Sequence, residues 1–143
     1  MSLYKKNLRV LVIEPALQRP IYDKARPNGG LGPAYLVGAL RKHGIEVDYL
    51  DITVGTRGRN LNETFYRRKE MENGNIRYGM SSDEFPDIFS KYDIIATSSI
   101  FSAQTRMHFE IATIAKKVSK ENSKPILTVS GGVNARALRE HFL

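Results

Sequence analysis

Short, unbroken apolar runs separated by helical patterns constrain this chain more than any other feature. Arg9-Val10-Leu11-Val12-Ile13-Glu14 stops at Pro15, and Asp93-Ile94-Ile95-Ala96-Thr97-Ser98 and Pro125-Ile126-Leu127-Thr128-Val129-Ser130 have the same form. A strand with one wet face alternates polar and apolar residues. A continuous apolar run belongs to a strand covered on both faces, as in a parallel sheet. Glu46-Val47-Asp48-Tyr49-Leu50-Asp51 alternates more and suits a strand nearer the sheet edge.

Helical spacing fills the gaps. Pro33 to His43 reads as a helix, with proline in its first turn and Gly44 just past its end. Leu36, Ala39, Leu40 and His43 share a face, which is expected to be its buried side. Ala103 to Lys120 is the clearest helix: Met107, Ile111, Ile114, Ala115 and Val118 recur on one stripe behind Ser102 as N-cap. Asp83 to Ser90 reads as a short helix behind Ser82, and Ala135 to Phe142 as a last one behind Asn134.

The order is therefore β-α-β-α-β-α-β-α. Such alternation, with right-handed crossovers, predicts an α/β fold: a doubly wound, flavodoxin-like or Rossmann-like parallel sheet in three α/β/α layers. The expected strand order is 2-1-3-4. A flavodoxin-like sheet normally continues into a fifth strand, so residues 1–143 read as one domain forming the N-terminal part of a longer protein. Two connections are long, Pro15 to Gly30 and Val54 to Ser82. The second is read as a loop with a helical stretch around Leu61 to Met71.

Composition removes several classes. There is no cysteine, which excludes disulfides, thiolate metal sites and cysteine nucleophiles and fits a reducing, cytoplasmic setting. No apolar run approaches the roughly 20 residues of a membrane span, and no signal-peptide core precedes the first strand. The net charge is +7, with a cluster at Arg57, Arg59, Arg67, Arg68 and Lys69. No helix-turn-helix or aromatic-rich pattern accompanies it, so it reads as a solvated basic loop rather than a nucleic-acid surface.

In a doubly wound sheet, ligands bind outside the carboxyl ends of the strands. Those ends deliver Glu14, Asp51, Thr97-Ser98-Ser99 and Ser130-Gly131-Gly132. Small residues let a ligand approach the backbone, and amides at helix starts favour anionic groups. Gly30-x-Gly32, with Asp51 where a ribose-binding acid would stand, hints at dinucleotide binding. However, Tyr35 replaces the third glycine, and the glycines lie far beyond the turn after strand one. A phosphate-accepting receiver domain needs an acid at the end of strand three, where this chain has Thr97-Ser98-Ser99. His43, His108 and His141 have no metal-ligand spacing and read as surface or packing residues.

Val10-Leu11-Val12-Ile13-Glu14-Pro15, the Gly30 to Val47 stretch, Tyr92 to Ser99 and Leu127 to Gly132 together resemble the N-terminal domain of B12-dependent radical SAM proteins. Oxidative cyclases of the magnesium-protoporphyrin monomethyl ester type are examples. The resemblance covers most of the chain except the Val54 to Ser82 insertion. It implies a cobalamin-binding module whose slot, between sheet and helices, takes the nucleotide tail. Ser98 or Ser99 with Ile100, and Gly131 with Gly132, would line that slot, flanked by the helix starting near Gly32. Related cobalamin domains carry Asp-x-His-x-x-Gly after strand one. Here Glu14-Pro15-Ala16 follows, so no lower-axial histidine is implied. The iron–sulfur cluster and S-adenosylmethionine would belong to a following radical SAM domain of the same polypeptide, the expected partner. The candidate cofactor residues are thus Gly30, Gly32, Asp51, Ser98, Ser99, Ile100, Gly131 and Gly132, and no catalytic or metal-ligating residue is expected in this chain. A non-binding relict or interaction module of the same fold, and a nucleotide- or dinucleotide-binding domain, remain as alternatives. A disordered Arg57 to Lys69 segment and a collapsed slot beside Gly131 would favour the interaction module.

Overall fold

The computed structural model describes residues 8–22, 30–98 and 100–142; Ser99 and residues 23–29 lie outside them. In chain order the elements are β1 (Val10–Glu14), β2 (Leu17–Pro20), α1 (Leu31–Lys42), β3 (Val47–Asp51), β4 (Lys69–Glu70), β5 (Asn75–Tyr78), α2 (Phe85–Phe89), β6 (Ile94–Ser98), α3 (Thr105–Glu121), β7 (Leu127–Gly131), α4 (Val133–Ala137) and α5 (Arg139–Phe142). Four strands form a parallel sheet in the order β3-β1-β6-β7. Counting parallel strands alone, this is the expected 2-1-3-4.

Residue period two divides the sheet into two faces. Leu11, Ile13, Leu50 and Ile95 point to one face, where they pack with Phe85, Phe89, Met107, Ile111 and Val118 from α2 and α3. Val10, Val12 and Val47 point to the other and meet Val37 and Leu40 of α1. Each large apolar side chain fully buried this way contributes on the order of 1.5–3 kcal/mol. No helix among the described residues is long and apolar enough to cross a membrane.

The difference from the sequence reading is a second sheet. β2, β5 and β4 pair antiparallel in the order β2-β5-β4, with Leu17 opposite Tyr78 and Lys69 opposite Arg77. Both long connections therefore carry strands. The stretch around Leu61 to Met71 is not helical beyond a single 3-10 turn, Leu61–Glu63. Phe65, Ile76 and Tyr78 form a small core of their own, with the Phe65 and Tyr78 rings stacked at 5.3 Å. That core holds the insertion in an ordered form. Arg59 within it pairs with Glu84 at 2.6 Å and with Glu63. The basic segment is thus only partly a solvated loop.

Several boundaries also shift. Gln104, not Ser102, precedes α3, after a 3-10 turn at Ser102–Gln104. Ser81, not Ser82, caps the turn before α2 by accepting a hydrogen bond from the Asp83 amide. Gly132 rather than Asn134 precedes α4, with φ +97°, a region that favours glycine.

Two expectations about burial are overturned. On α1 the covered positions are Pro33, Val37 and, in part, Leu40, whereas Leu36 is 52% exposed and Ala39 and His43 are open. The helix sits chiefly over β3 and β1, and Ile94 and Ala96 of β6 are only partly covered by the same cluster. β7, whose apolar run predicts cover on both faces, is exposed along its whole length. Among the described residues no strand flanks its outer edge, and α1 does not reach over it.

Candidate functional site

The carboxyl ends of β1 and β3 bring four polar groups together. Glu14 and Asp51 are register partners on neighbouring strands. Tyr49 lies two residues before Asp51 and so on the same face. Gln104, at the start of α3, donates from Nε2 to Glu14 Oε1 at 3.4 Å. Gly30 closes the cluster from above. A Cβ built there would stand 2.5 Å from the Tyr49 hydroxyl oxygen and 2.9 Å from Glu14 Oε2. Glycine at this position therefore answers a close approach between backbone and side chains.

Burial governs the electrostatics of this cluster. It raises the Glu14 carboxyl above the usual glutamate range; the Gln104 hydrogen bond opposes the shift and the Asp51 charge adds to it. Tyr49 is pushed up to about 12, first by burial and then by the Asp51 and Glu14 charges. The Gly30 backbone opposes the shift, although among the described residues the enclosed hydroxyl has no hydrogen bond of good geometry. Asp51 is only 6% exposed. Its Oδ1 accepts from the Thr53 amide at 2.9 Å and the Thr53 hydroxyl at 2.6 Å. Burial raises its pKa while these bonds lower it. Asp51 thus already serves to fold the turn after β3.

The predicted residues fall into two groups. Gly30, Gly32 and Ile100 line a rim pocket of about 580 Å³, together with Glu14, Phe101 and Gln104. Across it, the position of a Gly32 Cβ is 3.9 Å from Ile100 Cδ1. Ser98 and Gly131 are register partners at the ends of β6 and β7, and Gly132 follows. Ser99 lies outside the described residues, and Asp51 stands behind Glu14 rather than on the pocket wall. β2 separates β1 from α1, so Gly30 and Gly32 stand away from the tight turn that a dinucleotide fingerprint requires.

Ser98 and Gly131 share the α1-side face with Ile94, Ala96 and Val129. That face is open. A groove of about 580 Å³ runs along it, lined by Val10, Ile94, Ala96 and Val129 from the sheet and by Leu40 and Ile45. A Cβ on Gly131 would meet no atom within 4 Å. Gly32, Leu36, Ala39 and His43 recur on one flank of α1, and of these His43 lines the groove. Gly131 thus faces open space, although it is not part of the groove's lining.

Sequence reasoning missed Tyr49, Gln104 and Phe101. Strand alternation places Tyr49 with Asp51, which was a usable signal. Gln104 lay inside a stretch read as plain helix. Of the histidines, His43 and His141 are exposed, and His108 is buried on the opposite face between α3 and β6, its pKa pushed down to about 4 by burial. Among the described residues no group of three or more His, Asp or Glu is placed to hold a metal ion.

The chain is similar to cytidylyl-2-hydroxyethylphosphonate methyltransferase of Streptomyces wedmorensis, with 28% identity over 136 residues. The alignment covers 92% of this chain and 23% of that protein, so the chain spans about a quarter of the length of the relative. No protein-family model matches the chain, and no solved structure matches it at a significant level.

Proposed function

We propose that this domain is a cobalamin-binding module of a methyl-transferring enzyme, in which further parts of a longer polypeptide carry the radical SAM chemistry. The observation that carries the reading is the open groove on the α1 side of the sheet, lined by Ala96 and Val129 from the two strands whose ends carry Ser98 and Gly131. A parallel sheet is ordinarily covered on both faces. Here the uncovered strip has Ala96 at its middle, where a nucleotide tail would need volume, and its size lies within the range of small-molecule sites. The similarity to a methyltransferase supports the same reading.

The residues present fit such a group in a specific way. Ala96 and Val129 would form the floor beneath the tail, with Leu40 and Ile45 at its side. Gly32 and Ile100 would leave room at the rim for the macrocycle. When bound, cobalamin supplies the group-transfer chemistry. The chain's own part is to hold it and keep water from one side. Glu14, retaining its proton to higher pH than an exposed glutamate, adds a polar group at the rim that need not bring a full charge. Among the described residues the rim pocket is lined by no histidine, and His43 lies along the groove.

The test is retention of hydroxocobalamin by the purified protein after gel filtration, read from corrin absorbance. Ala96→Phe puts a ring into the groove from a partly exposed position and is expected to weaken retention at least about tenfold, or about 1.4 kcal/mol. Its melting temperature should stay near wild type. No retention by the wild-type chain at high micromolar concentration, or equal retention by Ala96→Phe, contradicts the proposal.

A further inference from the structure

The insertion builds a second concavity that is separate from the groove and rim. It is a pocket of about 270 Å³ between β4, β5 and the turn before α2, lined by Arg67, Arg68, Lys69, Arg77, Ser82 and Asp83 among others. Lys69 and Arg77 are direct partners across β4 and β5, so they share one face of the small sheet.

The charges there are unevenly satisfied. Arg77 is buried at the back and pairs with Glu110 of α3 at 2.7 Å. Arg59, in the same insertion, is neutralised by Glu84 and Glu63. Arg67, Arg68 and Lys69 have no carboxylate partner among the described residues. The one opposing charge in the lining is Asp83, whose Oδ2 accepts from the Ser81 hydroxyl at 2.9 Å. Three successive cations thus face a small hollow with a single acid at its margin. Like charges held this close repel, and the fold orders them without offering a counter-charge.

We propose that this pocket binds a compact oxyanion of the phosphate or phosphonate type. Guanidinium groups present paired N–H donors that match such oxygens, and the Ser82 hydroxyl adds a neutral donor. The pocket's size suits one such group. None of its lining residues is aromatic, so it has no platform for the stacked bases of a nucleic acid. The proposal does not depend on what the groove binds.

The experiment is a backbone amide chemical-shift titration of the 143-residue chain with inorganic phosphate, against sodium chloride at equal ionic strength. Phosphate should shift residues 67–69 and 79–83 saturably, and chloride should not. Replacing Arg67, Arg68 and Lys69 together by glutamine should weaken binding at least about tenfold. Replacing Lys116, Lys117 and Lys120 by glutamine removes the same charge from exposed parts of α3 and should change affinity by less than about twofold. Shifts spread over all basic residues, an equal response to chloride, or equal weakening in both variants overturn the proposal. A short oligothymidylate or an acidic peptide that binds there at least about tenfold tighter than phosphate, with shifts running beyond the pocket, overturns it in favour of a polymeric partner. The wild-type shift map decides the location even where a variant is destabilised.

Discussion

Gly30→Ala probes the close approach that shapes the rim. The added methyl would sit 2.5 Å from the Tyr49 oxygen. That is about 0.9 Å inside the 3.4 Å at which ordinary contact begins, an overlap a packed site cannot ignore. Glu14 Oε2, at 2.9 Å, ends a half-buried flexible side chain and can move aside. Tyr49 is anchored by its ring on the sheet beside Val10 and Val12, so it moves at greater cost. Forcing a methyl into such a site costs about 1–3 kcal/mol. Losing glycine's freedom in the unfolded chain returns about 0.4–1 kcal/mol. The net is about 1–2 kcal/mol, or a fall of roughly 3–7 °C in melting temperature for a domain of this size. Thermal or urea unfolding reads this directly. The reasoning also requires coupling. In a Tyr49→Phe background the obstructing oxygen is gone, and Gly30→Ala should then cost less by about 1 kcal/mol. Equal costs in both backgrounds would refute the assignment of the clash to the Tyr49 hydroxyl.

Three other outcomes follow from the same structure. Glu110→Ala leaves the buried Arg77 guanidinium unpaired and should lower stability by about 2–4 kcal/mol in urea unfolding, whereas Glu121→Ala, which removes an exposed partner of Lys117, should change it by less than about 0.5 kcal/mol. Phe89→Ala empties a fully buried site stacked on Phe85 at 5.4 Å and should cost about 3–5 kcal/mol. His108 has its folded pKa lowered to about 4 from an ordinary 6.5, so the unfolded chain takes up its proton first as pH falls. The stability it contributes is present above about pH 6.5 and declines as pH falls toward about 4, by up to about 3 kcal/mol. His108→Leu should flatten that part of the urea-midpoint profile relative to wild type. Parallel profiles for the two proteins would show that the slope comes from elsewhere.

Legibility followed the range of the interactions involved. The stripe Met107, Ile111, Ala115 and Val118 is a local repeat, and all four residues are buried on one side of α3. The face of α1 was legible only as apolar. Leu36, Ala39 and His43 have the right spacing for a buried stripe, yet the helix turns Val37 and Pro33 to the sheet and leaves that flank beside the groove. Spacing reports that residues share a face, and which face meets the core is a property of the neighbours. The second sheet was not legible for a related reason. β2 and β4 are four and two residues long, and they carry Arg19, Pro20 and Lys69. Such short pieces show no alternation to detect.

The alternation of apolar runs with helical stripes, by itself, determined the parallel sheet, its strand order and the placement of Glu14, Asp51, Ser98 and Gly131 at strand ends, because periods of two and 3.6 are written in neighbouring residues. Only the tertiary structure decided that Asp51 folds back on Thr53, that Tyr49 meets Gly30, that the face above Ala96 and Val129 stays open, and that Lys69 and Arg77 stand side by side. The approach of Tyr49 to Gly30 and the open face depend on contacts between distant elements, and Lys69 meets Arg77 across a hairpin whose first strand is too short to show a pattern. The Asp51 turn itself needed the burial beside Glu14 to give it its character. Such pairings depend on how much surface every other element leaves uncovered, which no local pattern records.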